Sequence, residues 1–219
     1  MGVIYLVRHG QASFGAADYD VLSPLGHEQA RLAGRELAAR ARRPLLVSGT
    51  LRRQAHTAAL LGLPDAAGVV EDRRWNEYDH LGLVDRYPST DPGDAGSPAA
   101  DAATAGDSRL FQARLDHALA RWIDDDADGG WDAFVSGATA ALGAVAARVA
   151  PGQDAVVVTS GGVIAAVAGS LVVAPPAGVI ALNRVMVNAS ITTVLAGSSG
   201  LSLLSFNEHA HLGPSRTYR

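Results

Sequence analysis

The chain has 219 residues, of which 48% are apolar, only 5% are aromatic and none is cysteine; the net charge is −4. That length fits one domain with an aliphatic core. The composition excludes disulfides and thiolate metal sites, and the mild acidity excludes a basic field able to recruit nucleic acid or an anionic membrane surface.

Residues 3–7, Val3-Ile4-Tyr5-Leu6-Val7, read as a first strand and deliver Arg8-His9-Gly10. Ser23-Pro24 reads as a helix N-cap with proline at the first helical position, and the helix runs to about residue 42. Strand-like runs follow at 45–48 and 69–71, with a helix over 51–61 between them. Residues 85–108 are rich in Pro, Gly, Ala, Asp and Ser and read as a loop. Phe111, Leu115, Leu119, Trp122 and Ile123 share one helical face, as do Phe134, Ala138, Ala141, Leu142, Val145 and Val149. A strand at 155–159 leads into a helix over 161–173. Strands at 191–196 and 201–206 flank Gly197-Ser198-Ser199-Gly200, which reads as a hairpin turn.

Alternating strands and helices predict a single α/β domain over 1–219. The expected architecture is a three-layer α/β/α sandwich with a mostly parallel sheet and an antiparallel edge strand. A helical and loop insertion is expected at about 85–150, over one end of the sheet. No apolar stretch reaches the roughly 18–20 residues that span a bilayer. No cationic leader precedes the first strand, so a cytoplasmic protein without a membrane partner is expected.

Parallel α/β sheets bind ligands beyond the carboxyl ends of their strands, and four polar segments fall there. They are Arg8-His9-Gly10, Ser48-Gly49-Thr50-Leu51-Arg52-Arg53, Trp75-Asn76-Glu77-Tyr78-Asp79-His80 and Thr159-Ser160-Gly161-Gly162. Arginine forks match phosphate oxygens, and an imidazole can attack and be carried covalently. A glycine beside it lets a ligand approach the backbone. Gln11 and Ser13, polar groups of the first loop, either touch a substrate or shape the turn.

These segments resemble the histidine phosphatase superfamily, also called phosphoglycerate mutase-like. Leu6-Val7-Arg8-His9-Gly10-Gln11 is similar to its signature, and Leu22-Ser23-Pro24-Leu25-Gly26-His27-Glu28-Gln29-Ala30 to its second block. Leu51-Arg52-Arg53 with Thr57-Ala58 resembles a third. Trp75-Asn76-Glu77 stands where the family has an acidic motif. Asn188-Ala189-Ser190-Ile191-Thr192 and His211-Leu212 resemble C-terminal blocks. The resemblance implies that His9 attacks phosphorus, that Arg8 and Arg53 hold the phosphoryl oxygens, and that Glu77 serves as acid and then base. Gly10, Gln11, Ser13, Ser160, Gly161 and Gly162 would complete the phosphate and substrate contacts. No cofactor or metal is implied. The expected partner is a phosphorylated small molecule or phosphoprotein.

One position departs from the pattern: where the family usually has a second histidine, this chain has Ser160. A neutral hydroxyl in place of a charged donor costs about 3 kcal/mol, roughly a hundredfold in rate. A phosphatase of reduced activity is therefore expected, with a phosphoglycerate mutase or a phospholigand-binding pseudoenzyme as alternatives. His56, three residues after Arg53, is a candidate replacement if it shares the helix face of Arg53. Asp79 and His80 compete with Glu77, and Arg52 with Arg53. His209 and His211 could suggest a metal, but no further ligand cluster accompanies them in the sequence. Trp122 and Trp131 read as packing residues. Asp124-Asp125-Asp126 with Asp128 reads as a solvated helix end.

Overall fold

The computed structural model describes residues 2–13, 20–64, 66, 68–89, 108–125 and 130–218. Most of the 85–108 loop and the acidic residues Asp126 and Asp128 lie outside them. The described elements, in chain order, are β1 (Gly2–Arg8), α1 (Pro24–Arg40), β2 (Leu45–Ser48), α2 (Arg52–Leu60) and β3 (Val69–Glu71). A 3-10 turn (Arg73–Trp75), α3 (His80–Arg86), α4 (Ser108–Asp125), α5 (Gly130–Arg148) and β4 (Ala155–Thr159) follow. The chain then forms α6 (Gly161–Leu171), α7 (Pro176–Arg184), β5 (Ile191–Gly197), β6 (Gly200–Glu208) and a second 3-10 segment (Ala210–Ser215).

The six strands form one sheet in the order β3-β2-β4-β1-β5-β6. The pairs β2–β3, β2–β4 and β1–β4 are parallel, whereas β1–β5 and β5–β6 are antiparallel. The expected sandwich is present and its edge strand β6 pairs antiparallel with β5, as expected; β5, an inner strand, is the one that runs against the rest, and β6 runs with them. The 197–200 hairpin turns β6 back to the common direction.

Strand alternation explains the continuous apolar runs. Ile4 and Leu6 of β1 and Val157 of β4 face a core shared with Ala138, Leu142 and Val145 of α5 and Ile164 and Val167 of α6. Tyr5, Val7, Val156 and Val158 face the opposite core, with Ala33 and Leu37 of α1 and Ala58 of α2. Both faces of β1 and β4 are thus covered, which selects apolar residues at every position. Helix α6 is buried nearly all round, so it reads as an apolar run rather than an amphipathic one.

The stretch expected as an insertion divides in two. Helix α5 belongs to the sheet-covering layer. Helices α3 and α4 build a third cluster from Leu83, Val84, Phe111, Leu115, Leu119 and Trp122, with Tyr78, Trp131 and Phe134 against it. Trp122 packs its ring on Tyr78, Trp131 and Phe134 at centroid distances of 5.6, 5.3 and 5.7 Å. Both tryptophans are packing residues. Helix α7, which follows Pro175-Pro176, has no counterpart among the expected helices. Among the described residues, no helix is long and apolar enough to cross a membrane.

Asp154, one residue before β4, ties together the sheet end remote from these clusters. Its carboxylate accepts from the backbone N–H groups of Val3 (3.1 Å) and Arg42 (2.9 Å) and from the Arg42 guanidinium. Burial alone would raise its pKa, but the bonds from Arg42 and Val3 more than offset that and leave it lowered from 3.8. Its stabilising effect is therefore complete above pH 3.8 and is lost as the pH falls through the depressed native value. Asp154→Ala removes the buried acceptor of two part-buried N–H groups and of the Arg42 guanidinium. The expected cost is about 2–3 kcal/mol, read as a melting temperature lower by about 5–10 °C at neutral pH. A change below about 1 °C would contradict this account.

Candidate active site

Four strand ends converge as expected. His9 leaves β1 with its backbone N–H donating to the Thr159 carbonyl at the end of β4 (2.9 Å), while its own carbonyl accepts from Ala189 (3.2 Å). Ala189 holds φ at +56° to make that bond, a left-handed conformation costly for a non-glycine residue. The His9 ring is 4% exposed. Its Nδ1 lies 2.8 Å from the Gly10 carbonyl, which accepts only if Nδ1 carries the proton. The lone pair is then on Nε2, where the Nε–H of Arg53 donates at 3.2 Å. The same tautomer satisfies both contacts.

Arg53 sits in the first turn of α2, buried, while Arg52 is exposed. Helical rotation thus selects Arg53 to face His9. Thr57, one turn on, donates to the Arg53 carbonyl (2.7 Å) and accepts from the Gly10 N–H (3.1 Å), linking α2 to the β1 end. Arg8 donates through Nη1 to the carbonyls of Met186 and Tyr218. Glu77 lies beyond the 3-10 turn after β3, and its Oε2 accepts from the N–H of Gly162 at 3.0 Å. A Cβ on Gly162 would sit 2.4 Å from Glu77 Oε1 and 2.3 Å from the Tyr78 ring. Only glycine there lets the carboxylate reach the start of α6.

Arg8, His9, Arg53 and Glu77 line one cleft with Tyr78, His80, Phe111, Leu115, Gly161, Asn183, Asn188 and Tyr218. The remaining expected residues are placed differently. Gly10 packs against α1, where a Cβ would lie 2.3 Å from the Gly26 carbonyl oxygen; its role there is close packing. Gln11 accepts from the Ser23 hydroxyl (2.9 Å), and the Ser13 N–H donates to Val21 (2.8 Å), so both shape the entry to α1. Ser160 is fully buried, and its Oγ accepts from Gln54 Nε2 at 2.8 Å. Neither Ser160 nor Gly162 is among the cleft-lining residues, and the Gly162 N–H goes to Glu77.

His56 is exposed on α2 and packs edge-on against His27 at 5.9 Å, so it does not stand in for a second site histidine. Three residues of helix place it about 60° off the Arg53 direction, enough to turn it from core to solvent. Asp79 caps α3 through the Gly82 N–H (3.0 Å). His80 does line the cleft and packs its ring on Phe111 at 6.0 Å. His209 and His211 lie against the carbonyls of Asn207 and Ala189. Among the described residues, no group of three or more His, Asp or Glu could hold a metal ion.

The family model for the histidine phosphatase superfamily, branch 1, matches residues 4–130. The chain belongs to that superfamily. A 2,3-bisphosphoglycerate-dependent phosphoglycerate mutase from Chelativorans is 36% identical over 90 residues, which is 36% of this chain and 43% of the mutase. The chain thus spans less than half the length of that relative. A mycobacterial glucosyl-3-phosphoglycerate phosphatase, solved with inorganic phosphate, is 25% identical; the likeness covers 96% of this chain and 99% of that one, with a TM-score of 0.52. A variant phosphoserine phosphatase from Entamoeba histolytica, solved with phosphoserine, shares the fold at 18% identity, with a TM-score of 0.55 and coverage of 97% and 100%.

In this member of the superfamily the site's electrostatics are built by burial. Burial and the charges of Arg53 and Arg8 hold the His9 pKa well below the ordinary 6.5. Burial raises the Glu77 carboxyl above 4.5, although the Gly162 N–H and both arginines oppose the rise. Burial and Glu77 push Tyr78 well above 10.0. At ordinary values, neutral histidine and protonated glutamate would rarely coexist. Both displacements move the pair toward that combination.

A reaction needing neutral His9 and protonated Glu77 loses rate on the acid side only below the ordinary histidine range. On the alkaline side it loses rate above the ordinary carboxylate range. We expect a bell-shaped dependence of kcat/KM on pH, with its maximum on the acid side of neutrality. A rate that climbs through pH 6.5 and stays flat above it would contradict this assignment.

The sequence gives little sign of three further site groups. Gln54 is fully buried, and its amide joins the Trp75 carbonyl (2.9 Å) to Ser160. Thr159 donates to the same carbonyl (2.6 Å), so Trp75 anchors the Glu77 loop to the sheet. Asn183, from the unforeseen α7, donates to the Tyr78 hydroxyl at 3.2 Å. Long sequence separation hides such partners. Only the glutamine following the arginine pair could have hinted at one.

Proposed function

We propose that the protein is a phosphomonoester hydrolase working through a phosphohistidine at His9. His9 Nε2 forms a bond to phosphorus as the ester P–O bond breaks, and protonated Glu77 gives its proton to the departing oxygen. Glu77, now ionised, takes a proton from water. The water oxygen bonds to phosphorus, and the P–N bond breaks to return neutral His9 and orthophosphate. Arg8 and Arg53 neutralise charge on the transferring phosphoryl, which is most of what this chemistry asks of a protein. The observation that carries the reading is the His9 Nε2 lone pair, held within 3.2 Å of the Arg53 Nε in a cleft that also contains buried Glu77.

Phosphorylated small molecules are the substrate class we favour, because the cleft is partly walled by the apolar side chains of Phe111 and Leu115. We read the setting as cytoplasmic. The hydroxyl of Ser160 is engaged by Gln54, which supports a slower enzyme than one with a charged donor at that position.

The deciding experiment supplies a phosphoester labelled on phosphorus and follows the label. Acid-labile label on the protein followed by free orthophosphate supports the hydrolase. Label delivered to a phosphoglycerate would make the protein a mutase. Binding without either product would make it a phospholigand binder.

A further inference from the structure

Asp20 stands apart from the expected site residues, and its carboxylate meets the phosphate-holding arginine. Its Oδ1 lies 2.7 Å from Arg53 Nη1, with the Arg53 side chain 7% exposed and the Asp20 side chain 29% exposed. The same oxygen accepts from the Arg53 backbone N–H at 3.4 Å, and Oδ2 accepts from the Arg52 N–H at 2.8 Å. Helix α2 has no acidic residue in its own first turn, and its N-cap residue Leu51 has no side-chain acceptor; Gln54 Oε1 reaches only the Leu51 N–H, at 3.3 Å. Asp20, 32 residues earlier than Arg52, supplies from across the fold both the negative charge and the acceptor for the Arg52 and Arg53 N–H groups.

Arg53 is therefore held at two of its nitrogens by contacts of different kinds. Nη1 is held by a carboxylate, and Nε points at His9 Nε2. A guanidinium fork is planar, so fixing one edge fixes the direction of the others. We propose that Asp20 is a positioning residue that aims Arg53 at the His9–phosphorus line and also acts as an internal anion competing with orthophosphate for that arginine. This rests on the phosphomonoesterase reading, which makes Arg53 a phosphoryl ligand. The competition has a use. An enzyme that binds its inorganic product too well stalls, and a fixed carboxylate beside the arginine weakens the ground-state hold on a dianion. The fixed guanidinium still serves the transition state.

The test compares wild type with Asp20→Asn and Asp20→Ala. Asparagine still caps a helix N-terminus but carries no charge. Titration with orthophosphate by calorimetry at neutral pH should show Asp20→Asn binding roughly five- to tenfold more tightly, because charge-assisted bonds to Arg53 are released to the ligand. On an aryl phosphate its kcat should fall about tenfold while KM also falls, since Arg53 is less well aimed. A residue that merely caps α2 would lower the melting temperature of Asp20→Ala and leave phosphate affinity unchanged in Asp20→Asn. That result would overturn the inference alone. A wild-type protein with no measurable orthophosphate binding and no turnover would instead overturn the phosphomonoesterase reading.

Discussion

His9→Ala should abolish phosphoester turnover, by about 10⁴-fold or more, and should leave no acid-labile phosphoryl label on the protein. The size of the effect follows from the lack of a substitute nucleophile at that position. Nε2 of His9 is aimed by two contacts, one to the Gly10 carbonyl and one from Arg53. The other histidine of the cleft, His80, packs against Phe111, and His56 faces solvent.

The variant should still fold. His9 is one buried ring among two large aliphatic cores, and its backbone bonds to Thr159 and Ala189 do not need the side chain. Truncation leaves a small polar cavity that water can fill. Steady-state assay with circular dichroism as a folding control checks both halves. Turnover above about a hundredth of wild type in a folded His9→Ala protein would mean that another group attacks phosphorus.

Glu77→Gln should separate substrates by their leaving groups. For an alkyl phosphate, whose departing oxygen needs a proton, the loss should be about 10²–10⁴-fold. For an aryl phosphate with an acidic phenol the bond-breaking step should lose far less, because that oxygen departs unprotonated. Glutamine is isosteric and can keep the bond from the Gly162 N–H, so the start of α6 should hold its place. The alkaline limb of the pH profile should also vanish if it belongs to Glu77. Equal losses on both classes, with the limb unchanged, would mean that Glu77 supports the loop and does not move a proton.

The pair explains why burial matters here more than any single contact. Water around His9 would keep it half protonated near its ordinary value of 6.5, and water around Glu77 would keep it ionised at neutral pH. Phe111 and Leu115 of the α3–α4 cluster line the cleft beside both groups and present apolar surface there in place of water. The surroundings of Glu77 thus include Phe111 and Leu115, 34 and 38 positions later in the chain.

How much of this was readable beforehand differs by element. The strands at 45–48, 69–71 and 155–159 are local events: short aliphatic runs closed by polar residues. The start of α1 is equally local, because the Ser23 hydroxyl accepts from Gly26 only three residues on. The convergence of the four polar segments follows from strand–helix alternation, which needs no coordinates. Helix α7 was not legible, since nine residues that open on the second proline of a Pro-Pro pair carry a weak periodic signal. Nor was the direction of β5, because pairing sense depends on which strand β5 meets.

What the sequence alone determined was therefore most of the elements, the α/β architecture and the identity of the candidate reactive groups: an imidazole, two guanidiniums and a carboxyl near strand ends. Each is written in residue type and short-range spacing. The tertiary structure decided which groups face one another: Arg53 over Arg52, Glu77 joined to Gly162, Ser160 turned toward Gln54, His56 turned to solvent, and Asp20 brought to Arg53. Those choices depend on helix rotation and on contacts between residues up to about a hundred positions apart. Chain spacing holds no record of such contacts, because burial and hydrogen bonding act through space.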